Sequence, residues 1–425
     1  MTAIEIRGAR VVDPASGRDE AASIWIAEGR IAAIGAAPAG FRAEETIDAA
    51  GLVACPGLVD LCARLREPGL EYKATLESEM AAAAAGGVTS LACPPDTDPP
   101  LDEPGLVEML KRRASAVQGA RVHPLGALTT GLRGERLAEM VELAEAGCIG
   151  FFQGNAPMPA NDTLLQAMRY ASTFGFSVWL RPQDPALARG GVAHEGEVAT
   201  RLGLPPIPAI AETVAVRTIL ELMEATGARV HLARLSTGAA IDLVAQAKSR
   251  GAPLTCDVAV HHLHLSDRDI AGFDSRANLA PPLREPSDRD RLRRALAEGV
   301  IDAVCSDHAP VDEDAKLVPF GEAEPGATGL ELLLPLTLQW GRECGLSLGE
   351  ALSAATSRPA AVLGTGAGTL AAGAPADLCL FDPSREWVVS AEALASQGRN
   401  TPFLGRTLTG RVVRTFVAGR SVHAA

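Results

Sequence analysis

The chain has 425 residues, 47% hydrophobic and 21% charged, the balance of an ordinary globular protein with ample core material. Its formal charge of −13 argues against a nucleic-acid or anionic-membrane surface as main partner, and no run approaches the roughly 20 apolar residues of a membrane span. The opening Met1-Thr2-Ala3-Ile4-Glu5 lacks the basic-then-apolar order of a signal peptide, and eight cysteines without regular spacing read as reduced thiols, so a cytoplasmic protein is expected.

In chain order, residues 4–12 and 23–35 alternate apolar and polar side chains around turns such as Glu28-Gly29, predicting short antiparallel strands. Residues 376–382 and 410–420 predict strands again. A lone hairpin is marginal, so the two ends are expected to share one small β-sandwich, from 1–55 and 365–425. Between 56 and 364 the pattern becomes strand, helix, glycine stop. Helices are expected over 76–85, 103–118, 137–146, 164–174, 210–226, 239–249 and 289–297. Strands follow over 88–93, 121–128, 148–152, 176–180, 229–235, 254–260 and 301–306. With the opening strand, 52–61, they number the eight of a closed (β/α)8 TIM barrel, and helices over 330–344 and 348–363 return the chain to the sandwich.

Such barrels place their chemistry at the C-terminal ends of the strands. The first strand runs into Asp60-Leu61-Cys62-Ala63-Arg64-Leu65-Arg66, where Asp60, Cys62, Arg64 and Arg66 fall on one face by strand alternation. Later strands end at Gln153, at Arg181, at Arg234 and at Ser306-Asp307-His308-Ala309-Pro310. Four of these positions, 64, 66, 181 and 234, are arginines. A guanidinium is always protonated and offers no lone pair to a metal. His231, three residues before Arg234, faces the other way and reads as a packed structural histidine. His262 and His264 share a face at metal-ligand spacing, but no second ligand pair converges with them, so no metal is assigned there. Cys93, Cys256 and Cys305 sit in apolar strands as core thiols.

The chain resembles the dihydroorotases of the amidohydrolase superfamily along nearly its whole length. The segments that carry the likeness are Arg66-Glu67-Pro68-Gly69, Asp96-Thr97-Asp98-Pro99-Pro100, Glu195-Gly196-Glu197, Pro281-Pro282-Leu283-Arg284, Ser306-Asp307-His308-Ala309-Pro310, Gly329-Leu330-Glu331 and Arg399-Asn400-Thr401-Pro402. The resemblance implies that active relatives hold two metal ions, commonly zinc, through four histidines and carboxylates. The metals make a hydroxide that attacks a cyclic amide while the aspartate matching Asp307 shuttles the proton. Mapped onto that pattern, Cys62, Arg64, Gln153 (or Gly154), Arg181 and Arg234 stand at replaced metal-ligand positions. Arg66, which contacts the substrate carboxylate in relatives, is kept. The substrate-binding asparagines are Asp96 and Ala280 here, and the histidine that often follows Asp-His-Ala-Pro is Val311. A carboxylate at position 96 is expected to repel an anionic substrate.

The pattern is therefore most like the inactive pseudo-dihydroorotases. Asp307 is expected to be vestigial, with no metal and no cofactor. Arg64, Arg181 and Arg234 are expected to pair with Asp60 and Asp307 in place of the metals. By the same resemblance the partner is aspartate carbamoyltransferase, in a hetero-oligomer, as a structural or regulatory chain in pyrimidine biosynthesis. The alternatives are an active cyclic amidohydrolase with an atypical metal site, and a sensor of anionic metabolites.

Overall fold

Glu28 and Gly29 both take left-handed backbone angles (φ 52° and 76°), the turn that folds strand Arg18–Ala27 back on Arg30–Ile34 as a tight hairpin. Ile4–Asp13 pairs antiparallel with that hairpin and parallel with Val53–Pro56. Val53–Pro56 pairs antiparallel with Leu378–Val388, which continues to Thr407–Val417 and Arg420–Ala424. Both ends of the chain thus enter one eight-stranded sheet, and Ile4, Ile6, Ile24 and Ile26 share a core with Leu370, Leu378, Leu380 and Phe416. The computed structural model describes residues 3–425.

Between these strands lies the barrel. Its parallel strands are Leu58–Asp60, Val88–Cys93, Arg121–Pro124 with Gly126–Ala127 as one broken strand, Phe151–Phe152, Ser177–Leu180, Arg229–Leu232, Leu254–Ala259 and Ala303–Cys305. The ring closes where the last strand meets the first. Arg64 N donates to His308 O at 2.9 Å and His308 N to Cys62 O at 3.0 Å, a parallel bridge between Ala63 and His308. Closure therefore happens within the residues that the sequence singles out.

The glycine stops act as C-caps at Gly147, Gly175 and Gly227, whose positive φ lets the next strand turn back. Two expectations about helices change. The single helix expected over 348–363 is two, Leu348–Ser353 and Ser357–Leu363, because Thr356 leaves helical angles (φ −129°, ψ −89°). Residues 330–344 open as a short 3-10 turn, Leu330–Leu332, before the helix Leu333–Glu343. A small two-stranded pairing of Ala193–His194 with Pro206–Ile207 carries too few residues for periodicity to reveal it.

Candidate functional site at the barrel mouth

Asp60 ends the first strand and is fully buried. Its Oδ1 accepts from Ser306 N at 2.8 Å and from Cys62 N at 3.4 Å, and the Ser306 hydroxyl donates to Oδ2. Burial raises its carboxyl, with those hydrogen bonds working in the opposite direction. No arginine pairs with it among the described residues. The expected Arg–Asp60 pair is thus corrected: donors from the last strand and from Cys62 already serve its oxygens, and the group joins the first strand to the last.

Asp307 takes two of the three arginines expected around it. Arg64 Nη1 reaches its Oδ1 at 3.0 Å and Arg234 Nη1 reaches the same oxygen at 2.9 Å. The Cys62 thiol lies 3.5 Å from that oxygen and 3.7 Å from Arg64 Nη1. Burial alone would raise the Asp307 carboxyl; the two guanidiniums outweigh it and hold it below the usual carboxylate range. Burial pushes the Cys62 thiol well up, although Arg64 and Arg234 oppose the shift, so the side chain stays a neutral thiol. Arg64, Arg234 and Asp307 form one buried ionic cluster.

Arg64 also binds Asp96, Nε to Oδ2 at 2.9 Å. Burial would raise the Asp96 carboxyl and Arg64 lowers it past that effect. Asp96 is therefore ion-paired within its own chain, a partner that the expectation of a repelling carboxylate did not include. Arg66 turns through a left-handed angle (φ 63°) and donates Nε to Pro310 O at 2.8 Å. Arg234 and Asp307 are left-handed too (φ 58° and 43°), a strain on the order of 1–2 kcal/mol each for residues with a Cβ. Three strained residues at one mouth indicate a backbone held to a particular geometry.

Arg181 differs from the expectation. It donates to the Gln183 side chain and, through Nη2, to Asn155 O at 3.1 Å, and has no carboxylate partner among the described residues. Burial and the neighbouring Arg234 lower it to about 9, so it remains a cation at neutral pH. Asn155 links Arg181 to Arg234, because Arg234 Nη2 donates to its Oδ1 at 2.9 Å. Gln153 serves the fold: its Nε2 donates to Leu132 O at 3.0 Å, and its Oε1 accepts from Thr129 Oγ1 at the same distance. Ala280 contributes through its backbone, accepting from Arg234 Nη1 at 3.2 Å.

Two supporting groups carry no motif that would reveal them. Asp257 Oδ1 accepts from Arg234 N at 2.7 Å, and its Oδ2 lies 2.9 Å from His231 Nε2. His231 bonds Thr255 through its other nitrogen and packs on Trp179 with ring centroids 4.0 Å apart. The histidine read as structural thus supports Arg234 at one remove. Glu79, buried in the helix Leu76–Ala85, bonds His308 Nε2 and accepts from Ser396 Oγ at 2.7 Å. The rival pair His262 and His264 does not converge on a common point: each ring lies near a different carbonyl, of Pro282 (3.3 Å) and of Leu336 (2.9 Å). Burial lowers both to about 4, so both are neutral.

The residues at the mouth do not fit the zinc ions of an amidohydrolase. Arginines stand at three of the positions where the resemblance implies metal ligands, two of them bonded to Asp307 and one of those also to Asp96. Among the described residues no group of three or more His, Cys, Asp or Glu side chains is arranged to hold a metal. A cleft of about 360 Å³ opens above the cluster, lined by Arg64, Arg66, Asp96, Asn155, Arg234 and Asp307 among others.

The same chain-wide pattern appears in comparison with known proteins. Residues 51–240 match the dihydro-orotase-like family model and residues 192–423 that of the amidohydrolase family. The chain is 49% identical over 420 residues to a dihydroorotase-like protein of Pseudomonas aeruginosa, covering 99% of each. It is 42% identical over 420 residues to a dihydroorotase of Geotalea daltonii, again 99% of each. The solved L-hydantoinase (dihydropyrimidinase) from Arthrobacter aurescens superposes with a TM-score of 0.89 at 26% identity, over 100% of this chain and 96% of that one. With full-length identity of this order and a closed barrel carried on a sheet from both termini, the chain belongs to the dihydroorotase-like group of the amidohydrolase family.

Proposed function

We propose that this chain is a catalytically silent dihydroorotase homologue, a structural and regulatory partner of aspartate carbamoyltransferase in pyrimidine biosynthesis. The observation that carries the reading is the pair of guanidiniums, Arg64 and Arg234, bonded to Asp307 Oδ1 where relatives place metal ligands around a proton-shuttling aspartate. Hydrolysing a cyclic amide needs an activated water and a free base. Here the candidate base is held in an ion pair below its ordinary range, and among the described residues no group of three or more His, Cys, Asp or Glu side chains stands ready to hold a metal that would activate the water.

The test is dihydroorotate turnover by the purified chain supplied with zinc. Background-level turnover is expected; metal-dependent turnover would instead support the competing reading, an active cyclic amidohydrolase, which the relatives named dihydroorotase favour. The partnership rests on the resemblance to pseudo-dihydroorotases. Size-exclusion chromatography of the chain with and without the transferase, assaying transferase activity, tests it. Co-elution with raised or stabilised transferase activity is expected, and independent elution with unchanged activity would remove the partnership.

A further inference from the structure

Cys55 and Cys379 are far apart in the chain and directly opposed in the fold. Cys55 lies in Val53–Pro56, the strand that leads into the barrel, and Cys379 in Leu378–Val388, the strand that follows it. The two strands pair antiparallel, with Pro56 opposite Leu378, Cys55 opposite Cys379 and Ala54 opposite Leu380. Pro56 has no N–H, so its pair cannot exchange two hydrogen bonds, and the next pair along, Cys55 with Cys379, is of the hydrogen-bonded kind. Opposed residues of that kind have Cα atoms about 5.5 Å apart and side chains on one face. A disulfide spans roughly 4.4–6.8 Å between Cα atoms, so this register suits one. Among the described residues no other two cysteines are partners in strand register.

Packing holds the two thiols together. Both are fully buried, in the core that these strands share with the barrel. Contact with the Cys379 thiol, and burial after it, push the Cys55 thiol well up. The turn at Gly87 packs against the pair with a left-handed angle (φ 78°), and a Cβ there would stand 2.6 Å from Cys379 Sγ. Glycine at this position leaves the sulfur its room.

We propose that Cys55 and Cys379 are a redox-sensitive pair, which a small disulfide such as oxidised glutathione closes into a disulfide across the sheet. One cysteine, as thiolate, attacks a sulfur of the oxidant and expels one small thiolate. The other then attacks the protein-bound sulfur of that mixed disulfide and expels the second. The two cysteines give up two electrons and two protons, and the oxidant leaves as two thiols. In a reducing compartment the pair rests as thiols. The bond ties the strand entering the barrel to the strand leaving it and encloses residues 56–378 in one covalent loop. Long loops are those in which a cross-link constrains the unfolded chain most. Buried and protonated, the closed pair reacts slowly, so exchange proceeds when the two strands open locally.

The purified full chain, equilibrated with graded ratios of oxidised to reduced glutathione just below its melting midpoint, tests the proposal. It is then alkylated under denaturing conditions and digested without reductant. Two of the eight thiols are expected to escape alkylation at oxidising ratios, and one peptide pair is expected to join Cys55 to Cys379. The melting midpoint should rise by about 5 °C and return on reduction. Cys55→Ala and Cys379→Ala should each abolish both effects. Should a variant fail to fold, the peptide map of the unsubstituted chain decides. Eight alkylated thiols at the most oxidising ratio, a disulfide between other cysteines, or a Cys55–Cys379 bond that leaves the midpoint unchanged or lowers it overturns the proposal.

Discussion

Asp307 carries two guanidiniums on one oxygen, and all three groups lie in the barrel interior. Removing one partner from such a cluster leaves an uncompensated buried charge, so Asp307→Asn should destabilise the chain by about 3–5 kcal/mol, read as a lower urea midpoint. In a metal enzyme the same change would act first on turnover. The pH dependence has a defined sign. Asp96 and Asp307 lie below their ordinary range, so the stability they add is present above about pH 4 and is lost as pH falls through their folded values. His262 and His264, held at about 4, act earlier: the unfolded chain takes up their protons from about pH 6.5 downward, so stability should decline between about pH 6.5 and 4. The urea midpoint across that range measures it, and the decline should be shallower in His262→Gln/His264→Gln. Strand alternation was enough to place Cys62 and Arg64 together. It could not tell that Asp60 would be served by Ser306 or that Arg181 would bond Asn155 and Gln183, because those partners come from loops whose course no periodicity encodes.

The string Arg399-Asn400-Thr401-Pro402 was legible as a family motif, yet its action is visible only between elements. Asn400 Nδ2 donates to Ala309 O and Gly326 O, both at 3.0 Å, and its Oδ1 accepts from Val311 N at 3.1 Å. One carboxamide thus ties the C-terminal segment to the loop that follows Asp307. Glu79, His308 and Ser396 make a second tie between the first barrel helix, the last strand end and the same segment. Asn400→Ala, which leaves three backbone groups without their partner, should cost on the order of 2–3 kcal/mol and raise protease sensitivity in the loop 309–328. An unchanged melting temperature and digestion pattern would show that water replaces the carboxamide without loss. Helix and strand order in the barrel could be read because glycine stops recur at the helix ends. The break at Thr356 could not, since the run 348–363 keeps helical composition while the backbone turns to cover the barrel.

At the scale of the whole molecule, the two ends of the chain meet in one sheet beside the barrel. Ring closure between Ala63 and His308 uses backbone bonds on both sides of the ionic cluster, with Asp60 and Ser306 joined beneath it. On the proposed reading, cations that the chain supplies itself take the place of metal ions, and the barrel should fold without any. Thermal unfolding is therefore expected to be the same with and without a strong chelator, whereas a metal-built mouth would lose stability when stripped, by the mass-action contribution of the bound ion. The central claim is that Arg64 and Arg234 replace metal at Asp307. The most direct measurement is the metal content of the purified full-length chain after dialysis against zinc-containing buffer. The account predicts no stoichiometric zinc. Zinc retained at one or more equivalents per chain, and lost in Asp307→Asn, would contradict it.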